Sequence, residues 1–124
     1  MSHLSTHVLD TTHGRPAAGV VVTLHDAAGT LVASGVTDAD GRVGALGPDR
    51  LAPGEWTLTF ATGAYWAALG TATFHPRVTV TITVPPEPEP EPEPEPDVPV
   101  PGPAPHLHVP LLLSPFAYST YRGS

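Results

Sequence analysis

His106 and His108 stand two residues apart in the run His106-Leu107-His108-Val109-Pro110, and on an extended strand that spacing projects both imidazoles from one face. Imidazole titrates near neutral pH, so a pair of them suits the removal and return of a proton, the work of general acid-base catalysis. On spacing alone the pair also fits two surface histidines, or half of a metal site in which zinc would need a third ligand from elsewhere. His7, between Thr6 and Val8, is early enough for a terminal strand to bring it beside the last strands; alone, it reads as an ordinary structural histidine. Arg42 follows Asp40-Gly41 and leaves a turn, where an arginine is usually just solvated. Convergence on one pocket would lift all of these above the ordinary. The chain has no lysine, so every fixed side-chain cation is a guanidinium, the planar group that grips carboxylates, ureides and enolates at two points.

Composition narrows the chemistry further. There is no cysteine, which excludes disulfides, thiolate-bound metals and a thiol nucleophile, and the missing lysine excludes a Schiff base. The net charge is -7, yet six of the twelve acidic residues (Glu87, Glu89, Glu91, Glu93, Glu95 and Asp97) sit in one tract. Outside it, six acids face five arginines. That near-neutral balance offers no basic stripe for phosphates, so nucleic acid is not an expected partner. No segment approaches eighteen consecutive apolar residues and the first residues lack a signal-peptide pattern, which predicts a soluble, cytoplasmic protein with no membrane partner.

The elements that must position these residues read as short β-branched and aromatic runs separated by turn residues, the pattern of an all-β sandwich. Strands are predicted at Thr6 to Leu9, Val20 to His25, Leu31 to Val36, Glu55 to Thr62, Val78 to Val84, His106 to Leu113 and Phe116 to Tyr121, about eight in all. Within Glu55 to Thr62, Trp56, Leu58 and Phe60 share one face. Turns are expected at Gly14-Arg15-Pro16, Asp26-Ala27-Ala28-Gly29 and Asp38-Ala39-Asp40-Gly41. Ala64 to Leu69, closed by Gly70, is the single short helix. Residues 85 to 105 hold eleven of the seventeen prolines in a Pro-Glu repeat that can neither build a ladder nor bury a core. With 124 residues, the chain fits one domain, 1 to 124, interrupted by this low-complexity loop.

The opening Leu4-Ser5-Thr6-His7-Val8-Leu9-Asp10, the central Asp40-Gly41-Arg42, and the ending from His106-Leu107-His108-Val109-Pro110-Leu111-Leu112-Leu113-Ser114-Pro115 to Tyr118-Ser119-Thr120-Tyr121-Arg122-Gly123-Ser124 resemble the 5-hydroxyisourate hydrolases. These belong to the transthyretin-related family, and the final Tyr-Arg-Gly-Ser separates them from hormone-carrying transthyretins. The chain departs from the family pattern in two places. Phe116-Ala117 stands where Tyr-Gly is common, and the Pro-Glu tract replaces a short connection.

The resemblance implies a transthyretin (prealbumin)-like eight-stranded β-sandwich with one short helix, assembled as a homotetramer, a dimer of dimers, with sites in the channel between dimers. It implies hydrolysis of the small molecule 5-hydroxyisourate in urate degradation, without cofactor or metal. His7, Arg42, His108 and Ser124 would form the catalytic set, with Tyr121 joining His7 and Arg42 in substrate binding and His106 as a neighbour. Either His7 or His108 would act as general base, and Ser124 would bind or position water. The rivals are a transthyretin-like binding module that holds a ligand without turning it over, and a structural β-domain with the Pro-Glu tract as a spacer.

Overall fold

A computed structural model describes residues 3–86 and 106–123. The Pro-Glu tract from 87 to 105 and Ser124 therefore lie outside the described residues. The chain forms β1 (Leu4–Asp10), β2 (Arg15–Pro16), β3 (Val21–His25), β4 (Leu31–Val36), β5 (Arg42–Val43), β6 (Gly54–Phe60), α1 (Thr62–Ala68), β7 (Val78–Val84), β8 (Leu107–Leu113) and β9 (Tyr118–Thr120). One sheet has the order β2-β1-β8-β9 with β5 also paired to β1, and the other the order β4-β3-β6-β7. Period-two alternation turns Val8, Leu111 and Leu113 from the first sheet, and Val22, Leu24, Leu58 and Phe60 from the second, into one buried core.

Several elements differ from the sequence reading, among them β5, where no strand was expected. Arg15–Pro16, expected as a turn, adds a two-residue strand to the end of β1, with Leu9 opposite Pro16. The strand expected to run to Thr62 stops at Phe60 because the chain there is taken over by the 75–76 segment. Gly63 N–H donates to the Pro76 carbonyl at 2.8 Å and the buried Thr62 hydroxyl to the His75 carbonyl at 3.3 Å, so α1 begins two residues earlier than expected. A Cβ on Gly63 would stand 2.6 Å from the Pro76 oxygen, which explains a glycine in the first turn. The last strand is shorter than Phe116 to Tyr121, because the Ser114 N–H and hydroxyl turn back to the Ala117 carbonyl and use up the start of that run.

α1 presses Trp66 into the core and brings Tyr65 to the far end of β1. There Asp10, 1% exposed, accepts hydrogen bonds from the Tyr65 hydroxyl and the His13 ring at 2.7 Å each, and from the backbone N–H groups of Thr12 and His13 at 3.0 Å. Burial pushes this carboxyl up, but those hydrogen bonds and the His13 charge outweigh it and hold Asp10 below its ordinary value. Asp10→Ala leaves these donors without an acceptor and is expected to lower stability by about 2 to 3 kcal/mol in urea unfolding. Because the folded-state value is depressed, the stabilisation from Asp10 is fully present above pH 3.8 and lost as pH falls through the lower folded value. Acid titration of the melting temperature, wild type against variant, checks that window.

Candidate active site

β1 and β8 run parallel, in register from Leu4 beside Leu107 to Asp10 beside Leu113. Thr6, Val8, Val109 and Leu111 on these strands are buried in the core, and the Thr6 hydroxyl is satisfied by the Val109 carbonyl at 2.6 Å. Their neighbours Ser5, His7 and His108 therefore occupy the opposite, outer face of the same sheet. Ser5 is the register partner of His108. Its Oγ lies 2.6 Å from His106 Nε2 and 2.8 Å from His108 Nδ1. The two imidazoles expected to share a face thus meet at one hydroxyl. Sequence reasoning did not single out Ser5; the one available signal was its i, i+2 relation to His7.

On the other edge of β1, β5 pairs antiparallel and sets Arg42 opposite His7. The turn before β5 is held by Asp38, whose Oδ1 accepts the backbone N–H groups of Arg42 at 3.0 Å and Asp40 at 2.9 Å. The Arg42 bond is the main reason the Asp38 carboxyl titrates below its usual value. Gly41, at φ +76°, passes so close to β1 that a Cβ would stand 2.4 Å from the Val8 carbonyl, and its own carbonyl accepts Val8 N–H at 2.7 Å. The docked turn offers the Asp40 carbonyl to His7 Nε2 at 2.9 Å. A carbonyl only accepts, so His7 Nε2 carries the hydrogen and the neutral ring keeps its lone pair on Nδ1.

Electrostatics tie these strands together. Burial is the main cause that lowers His108 from its ordinary value, and the charges of Arg42, His7 and His106 lower it further. The imidazole is therefore kept neutral at pH 7, with one ring lone pair able to accept a proton. The chain terminus closes over it: Gly123 N–H donates to the His108 carbonyl at 2.9 Å, and a Cβ on Gly123 would stand 2.5 Å from His108 Cδ2 and 3.2 Å from Pro110 Cγ. Lack of room, not backbone conformation, requires glycine there. Tyr121 precedes this crossing and is 59% exposed, while Ser124, expected in the site, lies outside the described residues. A pocket of about 320 Å³ opens beside the cluster, bounded by Val80, Ile82, His108, Tyr121 and Arg122; it reaches His108 but not His7 or Arg42, so it adjoins the polar centre without containing it. Among the described residues no three His, Asp or Glu side chains group as metal ligands.

A profile of the HIUase/Transthyretin family matches residues 4–123. The chain belongs to this family. The 5-hydroxyisourate hydrolase of Salmonella dublin is 40% identical over 125 residues, covering 98% of this chain and 80% of its own, and that of Mus musculus is 37% identical over 129 residues, covering 99% and 96%. The solved 5-hydroxyisourate hydrolase of Klebsiella pneumoniae superposes with a TM-score of 0.79 at 35% identity, over 100% of this chain and 94% of that one. The transthyretin of Sparus aurata gives 0.78 at 30% identity, over 99% and 97%. Family membership makes the tail crossing a point to test directly. Gly123→Ala is expected to displace the His108 ring resonances in an NMR spectrum while changing stability by no more than about 0.5 kcal/mol, since the crossing lies outside the core. Unchanged His108 resonances would show that the crossing has room to spare.

Proposed function

We propose that this chain is a hydrolase that opens 5-hydroxyisourate at its N1–C6 amide bond, giving 2-oxo-4-hydroxy-4-carboxy-5-ureidoimidazoline in urate degradation. The observation that carries this reading is the gathering of His7, Arg42, His106 and His108 on the outer face of one sheet, in a chain whose full-length relatives bear the name 5-hydroxyisourate hydrolase. The fold alone does not separate hydrolysis from non-catalytic binding, since a transthyretin superposes as well as a hydrolase. The polar cluster supports hydrolysis. Holding an apolar ligand makes no use of a neutral imidazole beside a guanidinium, whereas general-base hydrolysis can use both.

Water is a poor nucleophile at neutral pH, and a neutral imidazole that takes its proton contributes about 100- to 10,000-fold. His7 and His108, fixed on adjacent strands and each with one ring nitrogen engaged, divide proton removal from proton return to the leaving nitrogen. Arg42 orients the polar ring and opposes negative charge developing on the carbonyl oxygen. Tyr121 contacts the substrate, and Ser124 binds it or positions water through its hydroxyl or its terminal carboxylate. The reaction uses no cofactor. A single domain 1 to 124, interrupted by the Pro-Glu loop, works as a cytoplasmic homotetramer, a dimer of dimers. Supporting assembly, β9 is a sheet edge with all three residues exposed, flanked by the exposed aromatics Phe74 and Phe116.

The direct test follows the ultraviolet absorbance of freshly generated 5-hydroxyisourate. Decay no faster than the spontaneous rate would remove the reading. Deletion of residues 121 to 124 is expected to abolish turnover with the circular dichroism spectrum kept, because these residues contribute little to the core. Arg42→Lys keeps the charge but loses the two-point grip, so kcat/KM is expected to fall at least about tenfold with His108 titrating where it did. Arg42→Gln also removes the charge, which favours the imidazolium and raises the His108 titration point. For the unaltered enzyme, the lowered His108 value places the acid limb of kcat/KM below pH 6.5.

A further inference from the structure

The geometry points to Ser5 as the positioning residue that fixes the tautomer of His108, with His106 as the group that tells Ser5 which way to point its single proton. This deepens the hydrolytic reading above and rests on it. Ser5 is 7% exposed and its hydroxyl lies between two ring nitrogens, His106 Nε2 at 2.6 Å and His108 Nδ1 at 2.8 Å. A serine hydroxyl has one hydrogen to give and lone pairs to receive. It cannot donate to both rings. Accepting from both would leave its own hydrogen without a partner among the described residues, so it donates to one imidazole and accepts from the other, and the two rings hold opposite protonation at the nitrogens that face it.

Of the two senses, the one in which Ser5 donates to His106 Nε2 and accepts from His108 Nδ1–H is the one that leaves the His108 lone pair on the nitrogen not occupied by Ser5, as a base requires. His106 Nε2 is then an acceptor and His108 Nδ1–H a donor. In the neutral His108 ring the lone pair accordingly falls on Nε2, the nitrogen turned away from Ser5. His108 is thereby set up as a base at Nε2, and its orientation is held by a hydrogen bond at the other nitrogen. His106 acts at one remove, since without its acceptor nitrogen the Ser5 proton would turn to His108 Nδ1 and drive the ring hydrogen to Nε2.

The tautomer is read from the ring ¹⁵N shifts of His108 in the full-length, substrate-free protein, and turnover from the absorbance assay. In the unaltered protein His108 is expected to carry its hydrogen on Nδ1. Ser5→Ala is expected to shift the ring toward the Nε2–H form and to lower kcat about tenfold or more with KM little changed, as a base presented in the wrong tautomer should. Ser5→Thr returns a hydroxyl and is expected to restore both. His106→Phe, at an exposed position, is expected to give the same tautomer shift as Ser5→Ala while leaving the fold intact. A wild-type His108 with its hydrogen on Nε2, or a tautomer unmoved by both Ser5→Ala and His106→Phe, would overturn the inference. The tautomer is measured without substrate, so its result is independent of whether the protein turns substrate over. Failure of the unaltered protein to hydrolyse 5-hydroxyisourate would defeat the functional reading instead.

Discussion

The whole site depends on the parallel pairing of β1 with β8. Those strands lie about a hundred residues apart in the chain, and their seven-residue register brings Ser5 beside His108 and His7 beside Pro110. Everything else is attached to that ladder: β5 delivers Arg42 to the free edge of β1, and the tail is bonded to His108 on β8. A one-residue slip would turn Thr6 and Val8 outward and His7 into the core. Thr6 on the inner face adds to the hold of this register, its buried hydroxyl donating to the Val109 carbonyl directly across the ladder. The same ladder keeps His7 and His108 on the outer face.

Much of this was legible in the sequence because it follows from local alternation. Leu31 to Val36 and Val78 to Val84 form strands with the bounds their β-branched runs suggest, and His106 and His108 do project together. That the first strand could reach the last ones was legible, but its register with β8 was not, since no local pattern specifies a pairing across a hundred residues. Thr62 reads as a strand residue by type but is captured by the carbonyls of the loop at 75–76, a tertiary contact that overrides its propensity. Ser5 was not singled out because its i, i+2 relation to His7 is a weak signal; its meaning lies in two nitrogens that arrive from elsewhere. Gly123 was visible within a motif, but the reason for glycine is the His108 ring beneath it.

The polar groups around the site are arranged so that each one leaves the next a single option. Asp38 fixes the turn by taking two backbone N–H groups, the turn presents the Asp40 carbonyl, and that carbonyl fixes the hydrogen of His7 on Nε2. Each of the two imidazoles is thus held by a hydrogen bond at one ring nitrogen, the kind of fixed orientation under which electrostatic effects are strongest. The charge of Arg42 serves both ends of this arrangement, since it bears on His108 and on the Asp38 carboxylate.

The division of β1 and β8 into an inward face that packs and an outward face that carries the histidines has an evolutionary consequence. Ser5, His7, His106 and His108 stand apart from the leucines and valines that hold the sandwich together, so substitutions there spare the core. A lineage can therefore change what this face does while its scaffold stays intact. The near-equal superposition on a hydrolase and on a transthyretin fits that freedom, since one framework serves proteins of different names.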